Sequence, residues 1–346
     1  MKRLLLAVGA LGSVGLMLMG AAPVPQTPAD IAADLAAHPP ADLNAIYALK
    51  TRLGSNGLTQ VQSQLIQLAQ QQTGADLKAG VAACRLPDWF DSEMPALALA
   101  QTVAGDAEWT ADRLMIDRAL AERTAEYNRV MAGDSVDPQY NDASGPAARA
   151  LKDKPGSRQH DFAARVADDQ FGRLGSLIVA RQILWAKDVN PAVKAYLSGY
   201  NNAATCRSDR GNTAWLKSDL AAHGWPKLST DGADMAGDAW LLVQHADHDP
   251  AFQKQVLPML EALLPAKEVA GKSYAYLYDR VAMHDNRPLR YGSQGRCNGV
   301  GAWEPLPVED PATLDARRAA VGLGPEADYI QKFAKTCASM VPPKIQ

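Results

Sequence analysis

The chain has 346 residues, with 35 Lys and Arg against 38 Asp and Glu and a formal net charge of −3 at pH 7. That near-balance excludes a nucleic-acid groove built on a basic excess, and the length suits one large domain or two ordinary ones. Abundant Ala, Leu and Gln, with only 5 Phe, favours helices over sheets.

Lys2 and Arg3 form a basic head, Leu4 to Met19 is an uncharged apolar run, and Gly20-Ala21-Ala22 supplies small residues for a peptidase. This pattern predicts a Sec-type bacterial signal peptide over 1–22 and a periplasmic or secreted protein; an uncleaved anchor is the alternative. Pro23 is a poor residue directly after a cut at Ala22. No later stretch is long and apolar enough to cross a bilayer.

Helices are expected to follow in succession through an N-terminal region, 23–134. Thr27-Pro28 reads as an N-cap and first turn. One helix runs from about Ala41 to Gly54, another from Thr59 to Gly74, and a longer one from Glu108 to Ala132. Residues 135–157 are rich in Asp, Gly, Pro and Ser without apolar period, and read as a linker before a C-terminal helical domain, 158–346.

A helix near His160 carries Phe162, Val166, Gln170 and Leu174 on one stripe, with an Arg165–Asp169–Arg173 ladder beside it. Asn201 to Asn212 reads as a loop, followed by a short helix near Ala214 to Ala222. Further helices are expected over Ala233–Ala246, after the Asp249-Pro250 cap, and over Ser273–Met283. Asn298-Gly299 predicts the turn of one short β-hairpin. Asp310-Pro311 caps a helix ending at Gly322, and a last one runs from Pro325 to Ser339. The fold class is therefore mainly α.

Cys84, Cys206, Cys297 and Cys337 are an even set in an exported chain and read as two disulfides. Cys206–Cys297, both in polar loops of one half, is the favoured pair, leaving Cys84–Cys337.

The chemistry concentrates in Trp240-Leu-Leu-Val-Gln-His-Ala-Asp247. Gln244 and Asp247 lie three and four residues from apolar positions of the same helix, so buried partners must satisfy them. His245, Asp247 and Asp279 are the catalytic candidates, with Asp247, Asp279 or Asp169 orienting the His245 ring. Gln170, Gln244, Arg280, Tyr291 and Gln294 are the ligand-binding candidates. A metal on His245, His248 and Asp249 is weighed and set aside, because Asp249 serves better as a cap and no HExxH run occurs. Ser293 lacks a Gly-x-Ser-x-Gly elbow, so a triad with His245 and Asp279 is also set aside. No metal and no cofactor is expected.

The ordered motifs His223-Gly-Trp-Pro226, Ala239-Trp-Leu-Leu-Val-Gln-His-Ala-Asp247, Ala275-Tyr-Leu-Tyr-Asp-Arg280, Tyr291-Gly-Ser-Gln294 and Pro305-Leu-Pro-Val-Glu-Asp-Pro311 resemble an uncharacterised bacterial family. Asp315-Ala-Arg-Arg318 and the upstream Asp169-Gln170 extend the likeness over about Phe162 to Tyr329. Leu289 departs from it where a polar residue is expected, as does the Gly295–Gly301 insert with Cys297. The resemblance implies no activity, so no role is carried over.

Two functions follow as expectations. One is a polar pocket of the C-terminal domain that binds, and could hydrolyse, a small molecule, glycan or peptide. The other is a structural or interaction protein of the envelope whose polar cluster only organises the core.

Overall fold

A computed structural model describes residues 27–38, 42–74, 84–134 and 137–337. The expected leader lies outside these residues. Among them are twelve α-helices and one two-stranded antiparallel sheet, and no helix is long and apolar enough to cross a membrane.

Helix α1, Pro28–Ala37, opens with the expected Thr27 cap, and Asp30 completes it as a capping box: the Thr27 hydroxyl accepts from Asp30 N at 3.2 Å, and the Asp30 carboxylate accepts from Thr27 N at 2.9 Å. Helix α2, Leu43–Thr73, joins the two helices expected there, with Gly54 at φ 69° marking the break between them. Helices α3, Asp88–Thr102, and α4, Asp106–Met131, complete the first bundle.

Helix α5, Asn141–Ala150, lies where a linker is expected. Ala143, Pro146, Ala147 and Ala150 form a small-residue stripe at helical spacing and are buried, α5 packing against α6, Arg158–Arg181. Loop-like composition hid that stripe because alanines and a proline carry little apolar signal.

The larger correction is α7, Pro191–His223, one 33-residue helix running through the expected loop at Asn201–Asn212. Asn201, Thr205, Asp209 and Asn212 recur at helical spacing and are buried, so the polar run is an inward face and not a loop. Asn201 is satisfied there, its amide donating to Gly172 O at 2.8 Å and to Ser176 Oγ at 3.0 Å.

Helices α6 and α7 belong to both hydrophobic cores. Phe171, Ile178, Val193 and Leu197 lie in the first, which extends from Ile31 to Leu197, whereas Phe162, Val166, Leu216 and Leu220 lie in the second. The first core thus continues past residues 135–157. At its centre Trp185 donates to the Tyr140 hydroxyl at 3.1 Å, and Tyr140 stacks on Phe171 at 5.3 Å. Each such fully buried aromatic contributes about 1.5–3 kcal/mol.

Around the second core stand α8, Gly232–Gln244, α9, Pro250–Leu263, and α10, Gly271–His284. Asp249 caps α9 as expected, accepting from Phe252 N at 3.0 Å. Strands β1, Gly295–Gly299, and β2, Ala302–Pro305, form the expected hairpin, but its turn is Val300-Gly301. Gly301 supplies the positive φ of 73°, while a bulge between Cys297 and Gly299 absorbs Asn298. Helices α11, Leu314–Ala320, and α12, Glu326–Cys337, end the described chain.

All four cysteines are paired, as Cys84–Cys206 and Cys297–Cys337, which overturns the favoured connectivity. With α7 continuous, Cys206 is a buried mid-helix residue facing the segment before α3, and Cys297 on β1 faces the end of α12. Shared position in one half of the sequence was the wrong proxy for proximity.

Candidate functional site

The end of α8 divides its polar residues between two networks. His245, directly after the helix, turns toward α6. Its Nδ1 stands 2.9 Å from both oxygens of Asp169, a fully buried carboxylate. Asp169 also accepts from Gln170 Nε2 at 2.8 Å and from Arg173 Nε at 3.2 Å, and Arg173 Nη2 donates to Asp209 at 2.6 Å. Arg173 Nε is also 2.9 Å from His245 Nδ1. One nitrogen cannot donate to Asp169 and accept from Arg173, so we assign the Nδ1 proton to the Asp169 bond and the Arg173 proton to the carboxylates. Of the three carboxylates weighed for orienting the ring, Asp169 is the one that does it.

Burial would raise Asp169, but the hydrogen bond and charge of His245, with Arg173, hold it below the usual carboxylate range. Asp209 goes the other way: burial raises it, Asp169 adds repulsion, and Arg173 only partly compensates. Burial also lowers His245, against the hydrogen bond and charge of Asp169.

Asp169, Asp209 and His245 each offer a ligand atom within 4.8 Å of the others. Arg173 lies among all three and bridges both carboxylates, supplying the positive charge an ion would bring. His248 and Asp249 take no part in this group.

The second network faces the other way. Arg280 Nη1 donates to both Asp247 oxygens, one at 2.7 Å, and Gln253 Nε2 donates to Asp247 at 3.1 Å. His284 Nε2 approaches the same carboxylate at 3.6 Å. Burial would raise Asp247, but the His284 and Arg280 contacts hold it well below its ordinary value. Arg280 Nε then donates to Gln244 Oε1 at 3.0 Å, which fixes the amide and turns Gln244 Nε2 away with no protein partner. Ser293 Oγ is also buried, with the Asp279 carboxylate as its neighbour.

Asp279 serves as a backbone acceptor. It is 0% exposed and accepts backbone N–H bonds from Arg290 at 2.8 Å, Tyr291 at 3.0 Å and Ser293 at 2.7 Å. Burial pushes it up, against those three bonds. It folds the turn that presents Ser293 and Gln294. Tyr291 is buried behind that turn against Tyr274 and Tyr278, while buried Arg318 donates to Tyr291 O at 2.6 Å.

Gln244, Arg280, Ser293 and Gln294 floor a pocket of about 360 Å³. Trp240 and Tyr276 form one wall, Trp303, Tyr329 and Phe333 the other, with Lys332 beside them. The second wall is one aromatic cluster, its ring centroids 4.7–5.6 Å apart. The Cys297–Cys337 bond ties β1, the hairpin partner of the strand that carries Trp303, to the end of α12.

Of the expected binding residues, the structure brings Gln244, Arg280 and Gln294 to the pocket. Asp247 supports Arg280 from behind; His245 and Gln170 belong to the neighbouring network; Asp279 and Tyr291 shape the turn. Asp209 was missed because its helix was read as a loop. The aromatic wall left a signal in Tyr329, Lys332 and Phe333, spaced three and four apart on one helix face.

Residues 181–340 match the model of a family described as a family of unknown function (DUF6624). That match takes in α7 to α12 and the whole pocket lining, while Asp169, Gln170 and Arg173 precede it. No curated protein and no solved structure matches the chain.

Proposed function

We propose that the pocket between α8, α10, the hairpin and α12 binds a small molecule, glycan or peptide end that is rich in hydrogen-bond acceptors. The observation that carries this reading is the buried, unpartnered Gln244 Nε2, on a residue that lines the pocket. A buried donor left unmade costs about 1–3 kcal/mol, which a ligand acceptor would recover. Arg280 and Lys332 add positive charge, and no acidic residue lines the pocket. Aromatic walls suit the apolar face of a ligand whose polar edge meets that floor.

The reading is binding without chemistry, because His245, the acid–base candidate, is not among the lining residues. Its network with Asp169, Arg173 and Asp209 is mutually bonded and organises the junction of α6, α7 and α8. An envelope or secreted location is part of the proposal, supported by the two disulfides and the leader-like Lys2–Ala22 run.

Thermal-shift titration of wild type, Gln244→Ala and Ser293→Ala against carboxylates, phosphates, neutral sugars and short peptides tests it. The expected result is a ligand-dependent shift in wild type that both variants lose while keeping their unliganded melting temperature. Variants that melt much lower, with no ligand shifting wild type, would leave the polar cluster a purely structural device.

A further inference from the structure

We propose that the ligand is an acidic amphiphile, its charged head on the Gln244–Arg280 floor and its apolar chain in a trench alongside. This rests on the proposed pocket and names the class of molecule that fills it.

The trench lies between α8 and α10 and has a volume of about 560 Å³. It shares Trp240 and Tyr276 with the polar pocket, so the two spaces are neighbours across one pair of rings, 5.8 Å apart. Trp240 Nε1 donates to Ser273 O at 2.9 Å, which fixes the indole as a shared partition. Both volumes fall in the roughly 300–1,000 Å³ range of small-molecule sites.

The trench chemistry is the opposite of the pocket's. Leu228, Leu241 and Val269 supply apolar surface, and Ala233, Ala236 and Gly237 on α8 leave the floor bare. A Cβ added at Gly237 would meet nothing within 4 Å, so the space above it is open. The polar side offers an unpartnered donor in Gln244 Nε2. Arg280 and Lys332 line that side and Lys272 lines the trench, while neither space is lined by Asp or Glu. A ligand complementary to both spaces carries acceptors and negative charge at one end and hydrocarbon at the other.

Isothermal titration calorimetry of the full chain with butanoate, decanoate, inorganic phosphate, decyl phosphate and decyl glucoside tests this. Each buried methylene adds about fourfold in affinity, so decanoate should bind at least about tenfold tighter than butanoate. Comparing decanoate with decyl phosphate tells a carboxylate head from a phosphate one, and decyl glucoside should bind weakest of the decyl probes. Gly237→Phe fills the trench; it should abolish the chain-length gain and leave the binding of butanoate or phosphate unchanged. Gln244→Ala should weaken both acidic decyl probes. A Gly237→Phe protein that unfolds early would be replaced by Gly237→Leu, read in the same way.

Equal affinity for short and long acids, or a trench-filled variant that binds decanoate as wild type does, overturns the amphiphile assignment. The pocket reading would survive either result provided some acceptor-rich ligand still shifts wild type and not Gln244→Ala. If no acidic decyl probe binds, the amphiphile is wrong; the pocket reading fails only if the wider panel also shows no Gln244-dependent ligand.

Discussion

Gln244 and His245 are adjacent in the chain and serve opposite sides of the structure: Gln244 lines the pocket with its Nε2 buried and unpartnered, while His245 Nδ1 stands 2.9 Å from Asp169 inside. The end of α8 makes this possible, because His245 is the first residue past the helix. One short motif therefore supplies a binding group and a packing group. Substitution at the two positions should separate affinity from stability.

Asp279 is the clearest stability determinant. Asp279→Ala would strand three backbone N–H groups, on Arg290, Tyr291 and Ser293, in a site that is 0% exposed. The expected cost is about 3–5 kcal/mol, and Asp279→Asn should recover part of it by keeping one acceptor oxygen. Urea unfolding measures both. A loss below about 1 kcal/mol for the alanine variant would show that the turn holds without this carboxylate.

Peptide mapping without reductant should recover Cys84 linked to Cys206 and Cys297 linked to Cys337. The pairs are 122 and 40 residues apart, so removing them should cost about 5 and 4 kcal/mol in the chain-entropy model. The variants should differ in function as well. Loss of Cys297–Cys337 frees β1 from the end of α12, so ligand binding should weaken beyond the effect of losing Cys84–Cys206. Equal binding losses would show that the aromatic wall holds without its covalent tie.

The sequence disclosed the helices whose apolar residues are large and periodic, such as α4 and α9, and the caps at Thr27 and Asp249. It hid those whose inward faces are small or polar. α5 buries alanines and a proline, and α7 buries Asn201, Thr205, Asp209 and Asn212, residue types that also make loops. Asp209 and the Cys206 pairing were lost with α7. At the site, Gln244, Arg280 and Gln294 were legible because polar groups beside Trp240 or an apolar helix stripe require partners. The role of Asp279 was not, since a carboxylate that folds a distant turn and one poised for catalysis look alike in sequence.

The contact of α6 with α7 depends on glycine at one point. A Cβ at Gly175 would lie 2.1 Å from Asn201 Oδ1 and 2.8 Å from its Cγ. Asn201 cannot yield without giving up its bonds to Gly172 O and Ser176 Oγ. Gly175→Ala should therefore cost about 1–3 kcal/mol by overpacking. Asn201→Ala makes room for the methyl, so the double variant should be less destabilised than the sum of the singles. Strict additivity in a denaturation cycle would show that the two positions do not meet.

The inner network also predicts a pH signature with two opposing parts. Burial and Asp169 raise Asp209, so from about pH 4 up to its raised pKa the native state holds a proton that the unfolded chain releases. Its stabilisation is present at the acid end of that window and is lost as pH rises. Burial lowers His245, so below about pH 6.5 the unfolded chain takes up a proton that the native state refuses. Its contribution falls as pH falls. The two offset each other in wild type between about pH 5 and 6.5. Asp209→Asn keeps an acceptor for Arg173 but removes the first part, leaving the His245 slope exposed. That variant should lose stability on acidification from pH 7 to pH 5 more steeply than wild type, by at most about 1.4 kcal/mol per pH unit for one proton. Parallel stability curves for the two proteins, measured by urea unfolding across that range, would show that Asp209 titrates as an ordinary carboxylate.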